Sequence, residues 1–556
     1  MRIPCAYTAR FAATSSLIRR HPPIAPVRDV HKDALMSRRD LIVVGGGVAG
    51  LAAGCYALMN GFQVRILEHG LAAGGVCTAW KRGPYTIDGC VHWLLGSGPG
   101  GPFRPLFEEL GVVRDTSLRP IEHFTRYQNL EDGWSIDVTS DLGALQRALV
   151  DLAPEDRTLI GQMFEAIAAM SDFVWPVSDP PETVPLTERL GQLWEMRRAA
   201  PAFVRFHGDV ATFSRERIVS PRLRELLGAL IAPEMPLFFF LMLMSQLAAG
   251  QLSRPVGGSA ALRDALVHRF TELGGELSLG TTVEEVVVDE HRVAGVRIED
   301  GRILRSDLVI SIASAYETAL RLLGGRFLDG ATRRRLDDWP KYEAVALVSY
   351  GVERPLADAP WSLIVHQREP FVLGGRAQSQ LAFRTYNDDP AFAPPGHTVV
   401  QSMLETDYRF WAEQGDRYAA TRDAAASALL DRLEQSVPGI RADVRVTDVA
   451  TPLTFWRFAR VWRGAFEGWL PTKRTYGVRV PRKVPGLHGL YMAGQWVEPG
   501  GGVPISIMSG NILCVVPPKT VTPSMINRLL PIPEIFAPIL FSILHNCCTY
   551  GSQAAL

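Results

Sequence analysis

The chain has 556 residues, 47% hydrophobic and 21% charged, enough to build the cores of two or more globular units. Its 58 basic and 58 acidic side chains cancel to a formal net charge of zero, which argues against nucleic acid or another polyanion as a partner. The seven cysteines (Cys5, Cys55, Cys77, Cys90, Cys514, Cys547 and Cys548) are scattered without C-x-x-C spacing, so neither a disulfide framework nor a metal site is predicted, and a reducing intracellular setting fits best.

Residues 1–38 contain Arg2, Arg10, Arg19, Arg20, Arg28 and Arg38, with no acid before Asp29. Such a leader reads either as an organelle transit segment or as an extension ahead of a natural start at Met36. Four apolar β-formers at 41–44 predict a buried parallel strand, small residues over 48–59 a helix stopped by Asn60-Gly61, and 62–67 a second strand. Between strand and helix, Gly45, Gly47 and Gly50 satisfy G-x-G-x-x-G. The first permits the tight turn, the second lets backbone approach a pyrophosphate, and the third lets helix pack on strand. The phosphates then sit on free N–H groups at the helix start, at Val48 and Ala49. Glu68 ends the second strand, where a carboxylate takes the ribose hydroxyls of an adenosine. Gly54 and the pair Gly74-Gly75 extend the motif. The extended pattern resembles the FAD-binding signature of the amine oxidase and phytoene desaturase superfamily, and that resemblance implies FAD as the dinucleotide.

Residues 77–88 read as a hairpin turning at Arg82-Gly83-Pro84. The continuation over 89–94 resembles the segment after the dinucleotide motif in phytoene desaturase-like, carotenoid isomerase-like and retinol saturase-like flavoproteins. Many of those place Arg directly after the glycine pair to contact the FAD phosphates, where this chain has Val76. His92 reads as a packed histidine on an apolar strand rather than an acid or base, because no spaced acid partner is visible. From 105 to 249 the patterning is helical, with polar links near 178–182. Residues 237–244 are the most apolar run, interrupted upstream by Pro233, Glu234 and Pro236 and too short to span a bilayer. Three readings remain there: a core helix, the wall of an apolar substrate tunnel, or a helix dipping into a membrane.

A helix capped by Ser259 is predicted to run to Leu273, followed by strands at 276–279, 282–288, 292–298, 303–305 and 307–311, with a turn at Asp300-Gly301. The succession resembles the second cofactor segment of the same superfamily, which implies that backbone at Val283 meets the adenine. Alternation at 344–350, 361–366, 380–386 and 397–404 predicts a mixed or antiparallel sheet roofing the flavin. The stretches 451–457 and 464–469 resemble the family's segment beside the flavin, where Trp456 and Trp469 either line the pocket or pack. Near the end comes a short strand reaching Gly494, then Gly500, Gly501 and Gly502, then a helix from Val503 with Pro504 in its first turn. This presents another helix N-terminus to a ligand. The resemblance implies that Gly494, Gln495, Gly501, Gly502 and Val503 close over the pyrophosphate and flavin. Gln495 stands where many relatives have Asp. Beyond Gly510 the pattern decays, and a shortened last helix would weaken FAD binding. The tail 513–556 is broken by Pro531, Pro533 and Pro538, and reads as a membrane-surface contact or an altered end.

The expected fold is α/β: a Rossmann-like FAD-binding domain of glutathione-reductase type, assembled from 39–105, 255–316 and 481–512. A substrate domain from 106–254 and 317–480 combines a helical insertion with a mixed β-sheet. The resemblance implies an FAD-dependent oxidoreductase that transfers hydride, as a desaturase or saturase, on a hydrophobic polyene or isoprenoid-type small molecule, with peripheral membrane contact. Alternatives on the same fold are a flavin-dependent isomerase or an amine oxidase. A non-catalytic prenyl-binding protein fits less well, because the glycine motifs are intact. No catalytic side chain is assigned.

Overall fold

The computed structural model describes residues 39–171, 199–475, 478 and 480–515. At its centre lies a five-stranded, wholly parallel sheet in the order Glu276–Ser278, Gln63–Leu67, Asp40–Val44, Leu308–Ser311, Leu490–Met492. The register sets Leu41 opposite Val64 on one side and Leu308 on the other. Alternation of side chains sends residues to two faces. Leu41 and Val43 join the helices Val48–Met59, Gly258–Glu272 and Val503–Val515 through Leu51, Leu262 and Ile507. Ile42 and Val44 face a three-stranded meander, Val283–Asp289, Arg292–Ile298 and Ile303–Arg305, through Val283, Val286 and Val296. The central strand is apolar from Leu41 to Val44 because both faces are covered there, and each buried aliphatic side chain contributes roughly 2 kcal/mol.

Two glycines let the three helices approach. A Cβ on Gly54 would lie 2.6 Å from Cε2 of Phe270, and one on Gly510 would lie 2.8 Å from the backbone nitrogen of Ala53. The last helix thereby rests directly on the first, and it continues to Val515, past the point where the sequence pattern decays.

A seven-stranded mixed sheet runs Val444–Ala450, Ala344–Val352, Thr398–Thr406, Arg376–Thr385, Ser362–Leu373, His123–Asn129, Ser135–Thr139. The four strands expected from alternation are all present. The last two in the order correct the expectation of helical patterning from 105 to 249: they extend the sheet, with His123–Asn129 parallel to Ser362–Leu373. In His123–Asn129 polar residues fall on both faces, so alternation is weak and pairing with a neighbour 237 residues away decides the conformation, whereas Ser135–Thr139 alternates strictly and pairs back onto it. The described remainder of that region holds a short strand, Leu118–Pro120, and helices that include Leu142–Leu152, Arg157–Ala169, Pro221–Leu230 and Leu237–Ala248. Leu237, Leu241 and Leu247 are completely buried, so Leu237–Ala248 is a core helix. Among the described residues no helix is long and apolar enough to cross a membrane.

A further correction concerns Ser259. The helix begins at Gly258 behind Gly257, which adopts a left-handed conformation, and no side chain caps it. Ser259 lies inside the first turn, where its N–H and hydroxyl donate to Asp88 at 2.7 and 2.5 Å. The leader 1–38, the polar links near 178–182 and the tail from 516 lie outside the described residues.

Candidate functional site

The predicted glycine cradle assembles at the C-terminal end of the central strand. Gly45 turns with φ of +107°, and a Cβ on Gly50 would strike the Gly45 carbonyl oxygen at 2.1 Å, so this turn closes only on hydrogen. A Cβ on Gly47, by contrast, would meet only Gly74 oxygen, at 4.0 Å, and the backbone φ of −67° suits any residue. Gly47 therefore keeps open the space above the helix N-terminus, where Val48 and Ala49 begin a helix that no side chain caps. Gly74 bridges to Gly47 and donates its N–H to Gly46 oxygen at 2.8 Å, bringing the Gly74-Gly75 pair against the first motif. An uncapped N-terminus beneath a side-chain-free shelf is what a pyrophosphate requires, and these residues fit a dinucleotide.

Glu68 is buried at the rim of the cradle. Its Oε2 accepts from Gly46 N–H and its Oε1 from Gly70 N–H, both at 2.6 Å, leaving one lone-pair direction on each oxygen. Burial raises its pKa, against the pull of those two N–H groups. The Glu68 carbonyl accepts from Thr281 N–H at 2.8 Å, which draws the second predicted segment alongside. Val283, two residues on, is buried, and its carbonyl already accepts from Arg321 Nη1 at 2.9 Å.

The third predicted segment closes from the other side. A Cβ on Gly494 would lie 3.3 Å from that of Ala49, so this turn sits on the first helix. Gln495 turns its amide nitrogen to the Phe466 carbonyl at 3.0 Å, and Gly501 leaves only 2.8 Å between its own Cβ position and that of Glu467. Gly502 continues the turn with φ of +81° into the helix from Val503. Segment 466–469 is thus clamped to the closing turn.

Behind the cradle lies a set of ionisable groups that the sequence alone did not bring together. Asp88 is buried and accepts from Cys90 N–H, Ser259 N–H and Ser259 hydroxyl, tying the hairpin to the helix Gly258–Glu272. Gln401 links its backbone to the large sheet. Burial raises the Asp88 pKa despite these donors. His92 is deeply set, and burial together with the Arg384 charge pushes its pKa well below the ordinary value, so it is neutral. Glu467 stands against Tyr342, and burial pushes its carboxyl up to about 7. The Cys90 thiol is raised by hydrogen bonding to Cys77 and by burial, which keeps it protonated. Among the described residues no cluster of His, Cys, Asp or Glu is arranged for a metal ion.

The family model described as "Flavin containing amine oxidoreductase" matches residues 48–515, from the helix that follows Gly47 through the second and third segments. The chain belongs to this family of flavin-dependent oxidoreductases. Similar curated proteins include prolycopene isomerase 1, chloroplastic, of an Oncidium hybrid cultivar, 24% identical over 516 residues that cover 85% of this chain and 83% of that protein. The neurosporene-forming phytoene desaturase of Cereibacter sphaeroides is 24% identical over 534 residues, covering 89% and 96%. Among solved structures, an oxidoreductase from Methanosarcina mazei superposes with a TM-score of 0.55 at 19% identity, covering 84% of this chain and 99% of that one. Cyclohexylamine oxidase from Brevibacterium oxydans gives 0.54 at 17%, covering 86% and 98%. These likenesses agree with the α/β fold of the flavin amine oxidoreductases.

Within this flavin family fold, Trp469 proves to be a packing residue. It is buried, donates its indole N–H to Trp496 oxygen at 2.9 Å, and meets Tyr316, Trp339 and Trp496 ring to ring. Trp456 lies on the short helix Pro452–Ala459 with Arg460 over its ring. Sequence reading missed Glu467, Tyr342 and Arg384. The first two meet because residues 341–342 pair with 468–469, a contact with no local signature. The run Gly464-Ala-Phe-Glu-Gly-Trp469, with glycines either side of one acid, was the available hint for Glu467.

Proposed function

We propose that the chain is an FAD-dependent oxidoreductase that moves hydride between a flavin and a carbon of an apolar polyene or isoprenoid-type substrate, in the desaturase or saturase sense. One observation carries this reading: the uncapped N-terminus of Val48–Met59 meets Gly47, Gly74 and the turn at Gly494 on a single shelf free of side chains. When bound there, FAD supplies the hydride acceptor or donor, and the protein supplies position and electrostatics. In this reading Gly45, Gly47, Val48, Ala49 and Gly50 hold the pyrophosphate, Glu68 the adenosine ribose and Val283 backbone the adenine. Gly494, Gln495, Gly501, Gly502 and Val503 cover the flavin, with the second helix N-terminus favouring negative charge near it. The cofactor domain comprises 39–105, 255–316 and 481–512, and the rest of the described chain holds substrate.

Support for an apolar substrate comes from the names of the desaturase and isomerase relatives and from a small, entirely apolar cavity of about 30 Å³ in the helical region, lined in part by Leu149, Met163, Leu227, Phe240 and Met244. Phenylalanine and methionine form a deformable wall that suits hydrocarbon. A redox-neutral isomerase is the second reading, and Glu467 favours it: with a pKa of about 7 it holds a proton at neutral pH and can lend it to a polyene. Targeting by residues 1–38 and contact with a membrane surface belong to the same proposal. A fluorescent fusion of residues 1–38 that stays cytosolic would remove the targeting element.

The deciding experiment is the absorbance spectrum of the purified protein before and after anaerobic mixing with phytoene. Flavin bands that bleach establish hydride transfer from substrate. Bands that persist while the polyene changes configuration establish the isomerase, and a protein that takes up no FAD on reconstitution overturns the cofactor assignment.

A further inference from the structure

Arg384 carries a charge that the described residues leave uncompensated. It stands on the inner strand Arg376–Thr385, paired with Ser362 on one side and Gln401 on the other. Among the described residues its side chain makes no hydrogen bond or ion pair, and its Nε is buried without a partner. Burial pulls its pKa down to about 10. The nearest compensation is the ring of Trp361, whose centre lies 5.5 Å from the guanidinium carbon. A cation–π contact at that distance offsets only part of the cost of desolvating a guanidinium.

The surrounding groups bond to partners other than Arg384, and Asp88 and Tyr386 offset its desolvation only from a distance. Asp88 spends its two oxygens on Cys90 and Ser259. Asp388 is shared by Arg119 and Arg254 at 2.5 and 2.6 Å. Tyr386 is held protonated by burial, and His92 is neutral. Two more donors gather at the same indole. Arg254 stacks with its guanidinium carbon 4.4 Å from the Trp361 ring centre, and its Nε and the Trp361 Nε1 are both buried and unpartnered. A narrow cleft opens beside Trp361 and Arg254, lined also by Asp389, Tyr386, Phe392 and Val91, the residue preceding His92. Three orphan donors, two of them on arginines, around one aromatic ring are open to an acceptor from outside the chain, and their positive charge favours an anionic one.

We propose that Arg384, with Trp361 Nε1 and Arg254 Nε, receives the carboxylate at the end of an unsaturated apolar chain, so that the substrate is an amphipathic acid rather than a pure hydrocarbon. This deepens the reading of an apolar unsaturated substrate and rests on it. The carboxylate anchors one end beside the cleft, and the carbon chain extends into the interior where His92 and Glu467 stand.

The test uses the flavin-loaded full-length protein and two probes with the same polyene chain, all-trans-retinoic acid and its methyl ester, titrated by quenching of tryptophan fluorescence. The wild type is expected to bind the acid at least ten-fold more tightly than the ester. Arg384→Met should erase that difference with the ester affinity unchanged within two-fold, and Arg384→Lys should keep part of it. Because an unpaired buried charge is removed, Arg384→Met should melt at the same temperature as the wild type or higher, with its flavin content and absorbance unaltered. Equal binding of acid and ester by the wild type overturns the inference, as does a preference that survives in Arg384→Met. Loss of flavin from Arg384→Met also overturns it, by assigning the arginine to the cofactor. A wild type that binds no flavin yet prefers the acid supports the anion site and counts against the cofactor reading alone.

Discussion

Gly47 and Gly50 belong to one motif but do different jobs, and single substitutions separate them. Gly47→Ala places a methyl group in open space at an ordinary backbone angle, so the melting temperature of the flavin-free protein should stay within a degree or two while flavin content falls at least ten-fold. Gly50→Ala drives a methyl group into the Gly45 carbonyl and should lower both. A Gly47→Ala protein that keeps its flavin would show that the shelf is not a phosphate site. Glu467 gives a pH signature. Its carboxyl titrates near 7 in the folded chain against an ordinary 4.5, so the native state keeps a proton that the unfolded chain has already released. Stability therefore falls as pH rises from about 4.5 to about 7 and is level above, by at most on the order of 3 kcal/mol. Glu467→Gln should flatten that slope in urea titrations, and in an isomerase it should abolish turnover while leaving the flavin spectrum intact.

Between elements, two contacts carry the assembly of the site. The last helix touches the first at Gly510, whose Cβ position lies 2.8 Å from Ala53 nitrogen and 3.0 Å from Ala49 oxygen. Gly510→Val should force the helices apart, costing roughly 2 kcal/mol by overpacking and weakening flavin retention, because Gly494 and Val503 move with the helix. Asp88 is the second tie, joining hairpin, helix Gly258–Glu272 and large sheet through Ser259, Cys90 and Gln401. Asp88→Ala strands three buried donors and should destabilise the protein by roughly 3 kcal/mol in denaturant titration. In sequence Asp88 was visible only as part of a hairpin that resembled a family segment. That its carboxylate serves the start of a helix 171 residues away is a fact of packing.

At the scale of the molecule, three segments far apart in sequence converge on one shelf, and a ligand bound there joins them. FAD in excess should raise the melting temperature of the flavin-free protein, by an amount equivalent to about 2.7 kcal/mol at a hundred-fold excess over Kd. The gain should be absent in Gly47→Ala, and differential scanning fluorimetry reads both. The apolar cavity of the helical region shares no lining residue with the cleft beside Trp361 and Arg254.

The parts fixed by sequence alone were those in which chemistry and neighbours are local. The strand at 41–44, the helix at 48–59, the glycine spacing and the four alternating strands were legible, because period and turn geometry act within a dozen residues. The strand His123–Asn129 was not legible, since its pairing with the distant Ser362–Leu373 outweighs a weak local pattern, whereas Ser135–Thr139 carries a strict five-residue alternation that was overlooked. Ser259 was misread as a cap because its partner is Asp88, far away in sequence, rather than the helix it enters. The encounter of Glu467 with Tyr342, and of Arg384 with Trp361 and Arg254, exists only in the tertiary structure. Charge and burial are properties of what surrounds a side chain, and those surroundings are set by the packing of segments hundreds of residues apart.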